Sequence, residues 1–312
     1  MESALTQTIA QHITVVTGEP FRPTESKPQG GGCINQTIVL RQGQRSFFVK
    51  LNSVQYLAML ISEARALTAM AATKTMRVPQ VICYGTAGGS RGDTAYLVLE
   101  YLPLTNRHTA QDWQTMGQQL AAMHRVSSDQ GFGWSENNTI GSTPQPNPWT
   151  KSWREFWQNH RIGFQIELAQ RQGWRCVVPT KTLSSAIDRL LGDHEPLPAM
   201  VHGDLWSGNA SFTCGADHRS ESDGHDSQST PEPVIYDPAL YFGDREVDLA
   251  MTHLFGGFPG AFYQGYMTAY PLPPGYQERQ DLYNLYHILN HFNLFGGGYG
   301  AQANSIISKL CR

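Results

Sequence analysis

A chain of 312 residues is long enough to bury a large core and ordinarily divides into two lobes or domains. Hydrophobic residues make up 40% and charged residues 16%, which excludes a disordered chain, and a formal charge of −3 without a basic cluster argues against nucleic acid as a partner. The first sixteen residues lack a basic segment followed by an apolar run, and no stretch reaches membrane-spanning length without polar interruption, so the expectation is a cytoplasmic protein with no signal peptide and no membrane partner.

Residues 5–13 are predicted to form a short helix. Residues 21–32 are rich in Pro and Gly and end in Gly30-Gly31-Gly32; residues 34–40 then read as a strand through Ile34, Thr37, Ile38, Val39 and Leu40. A polar turn at 41–45 leads to a second strand, Phe47-Phe48-Val49-Lys50. Residues 56–72 place Leu57, Leu60, Ile61, Ala64 and Leu67 on one side of a helix that also carries Glu63. Two strands, 80–84 and 94–101, flank a Gly-rich turn. After Leu102-Pro103 the chain turns mainly helical, with helices predicted at 109–125, 152–172 and 180–192 and a loop rich in Gly, Asn and Pro at 129–149. Met200-Val201 runs into a polar loop. Residues 215–233 form a polar insert expected to be a disordered hairpin tip, and helices resume near 246–255, 260–270, 277–295 and 301–311.

There is no internal repeat. The five cysteines, Cys33, Cys83, Cys176, Cys214 and Cys311, are widely spaced and match no metal-ligand pattern, so reduced thiols are expected. Cys33, beside the Gly run, reads as a spacer thiol or a redox handle.

The chemistry concentrates in His202-Gly203-Asp204-Leu205-Trp206-Ser207-Gly208-Asn209, with Asp237 further on after Ile235-Tyr236. An Asp and an Asn with four residues between them, followed by a second Asp, suit phosphoryl transfer. Asp204 takes or orients the acceptor's hydroxyl proton, and Asn209 and Asp237 offer oxygen ligands to Mg2+. Lys50 at a strand end and Glu63 on the next helix match a pair that positions the phosphates of ATP, and the amides of Gly31 and Gly32 can approach phosphate oxygens. Glu100 and Leu102 lie where backbone groups would meet adenine. His202 reads as a brace for the loop or, less simply, as catalytic. Asp244, Glu246 and Asp248 read as the cap and first turn of a helix, with bracing of the loop as a second role. On the helix at 277–295, His287, Asn290 and His291 lie opposite an apolar stripe; they line a pocket for sugar hydroxyls or face solvent.

At this point the residues resemble the fructosamine-3-kinase (ketosamine-3-kinase) family. The carriers are the His202–Asn209 segment with Trp206 inside it, Gly30–Asn35, Phe47–Lys50, Ile235–Ala239, Phe255–Pro259 and Leu289–Gly296; Thr143–Trp149 and Arg161–Gly163 are similar to the bacterial branch. The resemblance spans roughly residues 5 to 310. It implies an α+β, protein-kinase-like two-lobed fold of the aminoglycoside/choline kinase kind. Residues 1–102 would be a small β-rich lobe gripping ATP, and residues 103–312 a larger helical lobe with the catalytic loop and metal site. It further implies ATP- and magnesium-dependent phosphorylation of the 3-hydroxyl of a ketosamine, free or on a glycated protein. The product breaks down and releases the amine, and Trp206 borders the substrate. The alternative is another kinase of the same fold acting on an aminoglycoside, choline or homoserine-type hydroxyl. A protein kinase is disfavoured because no Asp-Phe-Gly and Ala-Pro-Glu pair frames an activation segment.

Overall fold

A computed structural model describes residues 4–30, 34–88, 92–214 and 230–312. The chain separates into two compact units, Met1–Asp112 with Ser211–Tyr236, and Trp113–Ala210 with Asp237–Arg312.

In the first unit, helix α1 (Ala4–Thr17) is followed by strands β1 (Glu25–Pro28), β2 (Gln36–Gln42) and β3 (Arg45–Ser53), helix α2 (Leu57–Ala72), and strands β4 (Val81–Ala87) and β5 (Thr94–Glu100). The strands form an antiparallel sheet in the order β1-β2-β3-β5-β4. Alternation along β3 puts Phe47, Val49 and Leu51 into a core with Ile9, Ile13, Leu40 and Val98, so Lys50 points to the opposite face. α1 runs four residues beyond its expected end, with the Thr14 and Thr17 hydroxyls donating back to the Ala10 and Ile13 carbonyls. β1 lies inside the stretch expected to be irregular; it is an edge strand, where Pro28 costs no ladder hydrogen bond. Strands Leu104–Thr105, Ala210–Cys214 and Pro231–Ile235 make a small second sheet. The last residues of the expected disordered insert, 231–233, therefore belong to a strand, while 215–229 lie outside the described residues.

The second unit is helical. It contains most of α3 (Ala110–Met123), then α4 (Trp153–Phe156), α5 (Phe164–Arg171), α6 (Thr180–Leu191), α7 (Glu246–Met251), α8 (Gly260–Ala269), α9 (Tyr276–Phe295) and α10 (Tyr299–Leu310). Every residue of α9 from Leu282 to Asn290 is buried, which makes it the central helix. It packs on Trp153, Phe156 and Trp157, and the Trp153 indole N–H donates to the Tyr283 hydroxyl at 3.1 Å.

The single helix expected over 152–172 is interrupted by a π-helical stretch, Trp157–Gly163. A Cβ on Gly163 would stand 2.8 Å from the Gln158 carbonyl, so the wide turn closes only around a bare α-carbon. α7 stops four residues before its expected end because Phe255, Gly256 and Gly257 all take positive φ.

The stretch expected to be a loop at 129–149 contains a hairpin, Asn138–Ile140 with Thr143–Gln145. Its amides interlock: Gln145 Nε2 and Asn147 Nδ2 both donate to Asn138 Oδ1 at 2.8 Å. Arg161, fully buried, donates to Pro146 O and Asn147 Oδ1 at 2.7 Å, and its guanidinium carbon lies 4.5 Å and 4.0 Å from the ring centres of Phe156 and Tyr241. Cys83, Cys176, Cys214 and Cys311 are free thiols, and no helix among the described residues is long and apolar enough to cross a membrane.

Candidate active site

In the second unit, strand Ala199–Val201 pairs with Tyr241–Gly243 and delivers the chain into the 202–209 loop. Gly203 has a φ of +82°, and a Cβ there would stand 2.2 Å from the Ala239 carbonyl. No other residue fits this turn.

The loop backbone is clamped from α7. Asp248 Oδ2 accepts the His202 amide at 2.7 Å, and Oδ1 accepts the Gly203 amide at 2.9 Å. Bracing, the second role expected for Asp248, is thus the observed one, while Asp244 Oδ1 accepts the Glu246 amide at 3.1 Å as a cap would. Glu246 is held by Arg279 at 2.7 Å through both oxygens. Burial alone would raise the Asp248 carboxyl. The hydrogen bond and electrostatic pull of His124, with the pull of His202 and the Gly203 amide, outweigh it and hold Asp248 below the usual carboxylate range. The His202 ring, fully buried, accepts the Asp204 amide through Nδ1 at 3.2 Å, which fits the bracing role.

Asp204 and Asn209 meet. Asn209 Nδ2 donates to the Asp204 main-chain oxygen at 2.9 Å and to Oδ2 at 3.3 Å. Burial, then the charges of Asp237 and Asp248, push the Asp204 carboxyl up from 3.8 to about 7, against the hydrogen bond from Asn209. Asp237 adopts a φ of +58°, a left-handed conformation that Asp tolerates better than most residues. The Asp204–Asp237 pairing suits a hard divalent cation. Two carboxylates, one near enough to raise the other's carboxyl, beside an amide whose N–H is already used, are an oxygen donor set with surplus negative charge.

Trp206 packs edge-on to Phe255 at 6.0 Å, and Phe255 contacts the His291 ring at 4.6 Å, so two of the expected substrate residues are linked through a third aromatic. Gly208 is pressed to the indole, where a Cβ would stand 2.4 Å from the ring. His287 and Asn290 are each 2% exposed and do not form a solvated face. His287 Nδ1 has no hydrogen-bond partner among the described residues, and burial pushes this imidazole down from 6.5 to about 3, so it is neutral.

In the first unit, Lys50 Nζ meets Glu63 Oε1 at 2.6 Å, with the two side chains 5% and 11% exposed. The Glu100 carboxylate is taken by Arg77 and by the Gln80 amide, and its own amide donates to the Gln80 carbonyl at 2.8 Å, so neither group is open to a ligand. Leu102 follows β5, half-buried. Gly31, Gly32 and Cys33 lie outside the described residues. His124, which bonds Asp248 Oδ2 through Nε2 at 3.0 Å, is a residue that sequence reading misses: its partner is 124 positions away and no local spacing marks it.

Comparison with known proteins gives a concordant picture. A family model described as fructosamine kinase matches residues 5–312. A probable ketoamine kinase of Synechocystis is 51% identical over 306 residues, covering 98% of this chain and 97% of that one. A chloroplastic protein-ribulosamine 3-kinase of rice is 39% identical, over 95% and 81% of the two chains. A crystal structure described as "Putative fructosamine-3-kinase" from Haemophilus somnus superposes with a TM-score of 0.85 at 26% identity, over 99% and 98% of the chains. Aminoglycoside phosphotransferase APH(4)-Ia, at 17% identity and a TM-score of 0.56 over 97% and 98%, shares the protein-kinase-like fold.

Proposed function

The chain belongs to the fructosamine kinase family, and from that premise we propose that it transfers the γ-phosphoryl group of ATP to the 3-hydroxyl of a ketosamine. The acceptor would be the Amadori-type adduct of a sugar with a free or protein-borne amine. The observation that carries the reading is Asp204, a carboxylate poised at about 7 and held by Asn209. A general base works best when its pKa lies near the working pH.

In this reading residues 1–102 grip the nucleotide, and Lys50, held by Glu63, serves its α- and β-phosphates. Residues 103–312 carry the chemistry. Asn209 and Asp237 would hold Mg2+, which when bound neutralises charge on the phosphates. Asp204 accepts the proton of the acceptor hydroxyl as that oxygen bonds to phosphorus and the bond to the ADP oxygen breaks. Asp248 keeps the loop amides, and with them Asp204, in register during the transfer. Trp206 offers a ring for a sugar face, with His291 linked to it through Phe255; His287 and Asn290 shape the floor beneath. The phosphorylated adduct is unstable and releases its amine, so the reaction serves deglycation of proteins. A cytoplasmic location goes with this reading, in keeping with the free thiols of Cys83, Cys176, Cys214 and Cys311.

The test is an acceptor panel of ribulosyl-lysine, fructosyl-lysine, kanamycin and choline with Mg-ATP. Turnover of the ketosamines by the wild type, lost in Asp204→Asn, is expected. Turnover of kanamycin or choline alone would move the protein to another acceptor class.

A further inference from the structure

Helices α3 and α8 touch backbone to backbone. A Cβ on Gly117 would stand 2.2 Å from the Phe262 carbonyl and 2.7 Å from the Tyr266 amide nitrogen; one on Gly265 would stand 2.1 Å from the Gln114 carbonyl. Neither glycine has positive φ, so it is space and not backbone conformation that requires them. The crossing sets the register of the two helices, and that register carries the Tyr266 hydroxyl to His124 Nδ1 at 2.9 Å.

From there a single line of hydrogen bonds runs to the catalytic loop. Arg245 donates to the Tyr266 oxygen at 3.1 Å, and two further donors go to the Tyr270 and Pro271 carbonyls at 3.0 Å and 2.6 Å. His124 Nε2 meets Asp248 Oδ2 at 3.0 Å, and Asp248 accepts the His202 and Gly203 amides at 2.7 Å and 2.9 Å. Tyr266, His124 and Asp248 are at most 2% exposed. One end of the line, a guanidinium, can only donate; the other, a carboxylate, can only accept. With a neutral His124 ring, these two ends set the order of protons. Tyr266 accepts from Arg245 and gives its own proton to His124 Nδ1, and His124 carries its proton on Nε2, aimed at Asp248.

We propose that this relay, set by the Gly117–Gly265 crossing, positions the catalytic loop, and that His124 and Tyr266 are positioning residues for phosphoryl transfer. The proposal rests on the reading of Asp204 as the base. Without the Nε2–H donor, Asp248 is free to turn from the two loop amides, and Asp204 loses its fixed place relative to the acceptor. Substrate binding is not otherwise touched.

The test uses His124→Leu, which deletes the donor, His124→Gln, whose amide reaches as Nε2 does, and Tyr266→Phe, which removes one oxygen and leaves the helix crossing intact. Two readouts are taken: kcat and KM on ribulosyl-lysine, and amide hydrogen exchange at His202 and Gly203. His124→Leu is expected to lower kcat by about 10-fold and Tyr266→Phe by about 3-fold, with KM for ATP within about 2-fold of wild type and most of kcat restored in His124→Gln. Exchange at the two amides should rise in the same order. Wild-type kcat in both deleting variants, or a loss in kcat that tracks melting temperature and is not restored by Gln, would overturn the relay. So would unchanged exchange at the two amides. A wild-type protein inactive on every ketosamine would instead strike at the proposed function, and the exchange readout would still decide the relay.

Discussion

The ion pair of Lys50 and Glu63 in the first unit and the Asp204 carboxylate of the second sit in opposite electrostatic states. Lys50 and Glu63 are nearly buried and cancel each other at 2.6 Å. In the second unit Asp248 is compensated by His124, His202 and two amides, whereas Asp204, beside Asp237, has only an Asn amide and holds its proton up to about 7. A compensated pair contributes to its own fold. An uncompensated carboxylate destabilises the fold around it until a cation arrives.

Asp204→Asn breaks the contrast most sharply. Turnover should fall by roughly 10²–10⁴-fold, the usual worth of a positioned base. Its stability should move the other way. The folded-state pKa lies above the unfolded one, so this carboxyl's contribution is full below 3.8 and is lost as pH rises through about 7. At pH 8 without divalent cations the variant should be the more stable protein, by no more than about 4 kcal/mol and by less after solvent screening. Thermal melts with and without Mg2+ check it; a less stable variant would show that Asp204 is compensated after all.

Lys50→Met should have the reverse character, losing activity and stability together. Stranding Glu63 in a buried setting costs about 3–5 kcal/mol, and a Glu63→Leu partner should restore folding in urea titrations without restoring turnover.

The acid side is carried by His287. Its folded pKa of about 3 lies below the ordinary 6.5, so the unfolded chain takes up the proton first and stability declines as pH falls from about 6.5 to about 3. The decline is about 5 kcal/mol at most, and His287→Gln should flatten that limb of the stability profile.

Gly203→Ala adds a single methyl group. It should cost about 1–3 kcal/mol from the positive φ alone, with more from contact with the Ala239 carbonyl, and it should lower kcat. An unaffected kcat would mean that the loop tolerates a shift of its backbone.

The parts legible in the sequence are those whose chemistry imposes spacing. Asp204 and Asn209 have four residues between them because one turn of loop must return the amide to the carboxylate. Lys50 and Glu63 were readable because a strand followed by a helix offers few ways to oppose them. The hairpin at 138–145 was not readable, since its Asn and Gln side chains bind one another where turn residues normally bind water. The wide turn at 157–163 leaves the same apolar face as an ordinary helix, so periodicity is blind to it. His124 and Tyr266 were missed because they are 142 positions apart and joined by two glycines whose only signal is lack of bulk.

Arg161 has a consequence for assembly. Its guanidinium is fully buried, with no carboxylate among its hydrogen-bond partners; three aromatic rings, two carbonyls and an amide oxygen are its cage. A half-built cage would leave a bare cation facing oil, which is costlier than either the finished or the absent one. The 138–147 segment and the 157–163 turn should therefore come together in one cooperative event, with neither persisting as an early island on the way to the native protein.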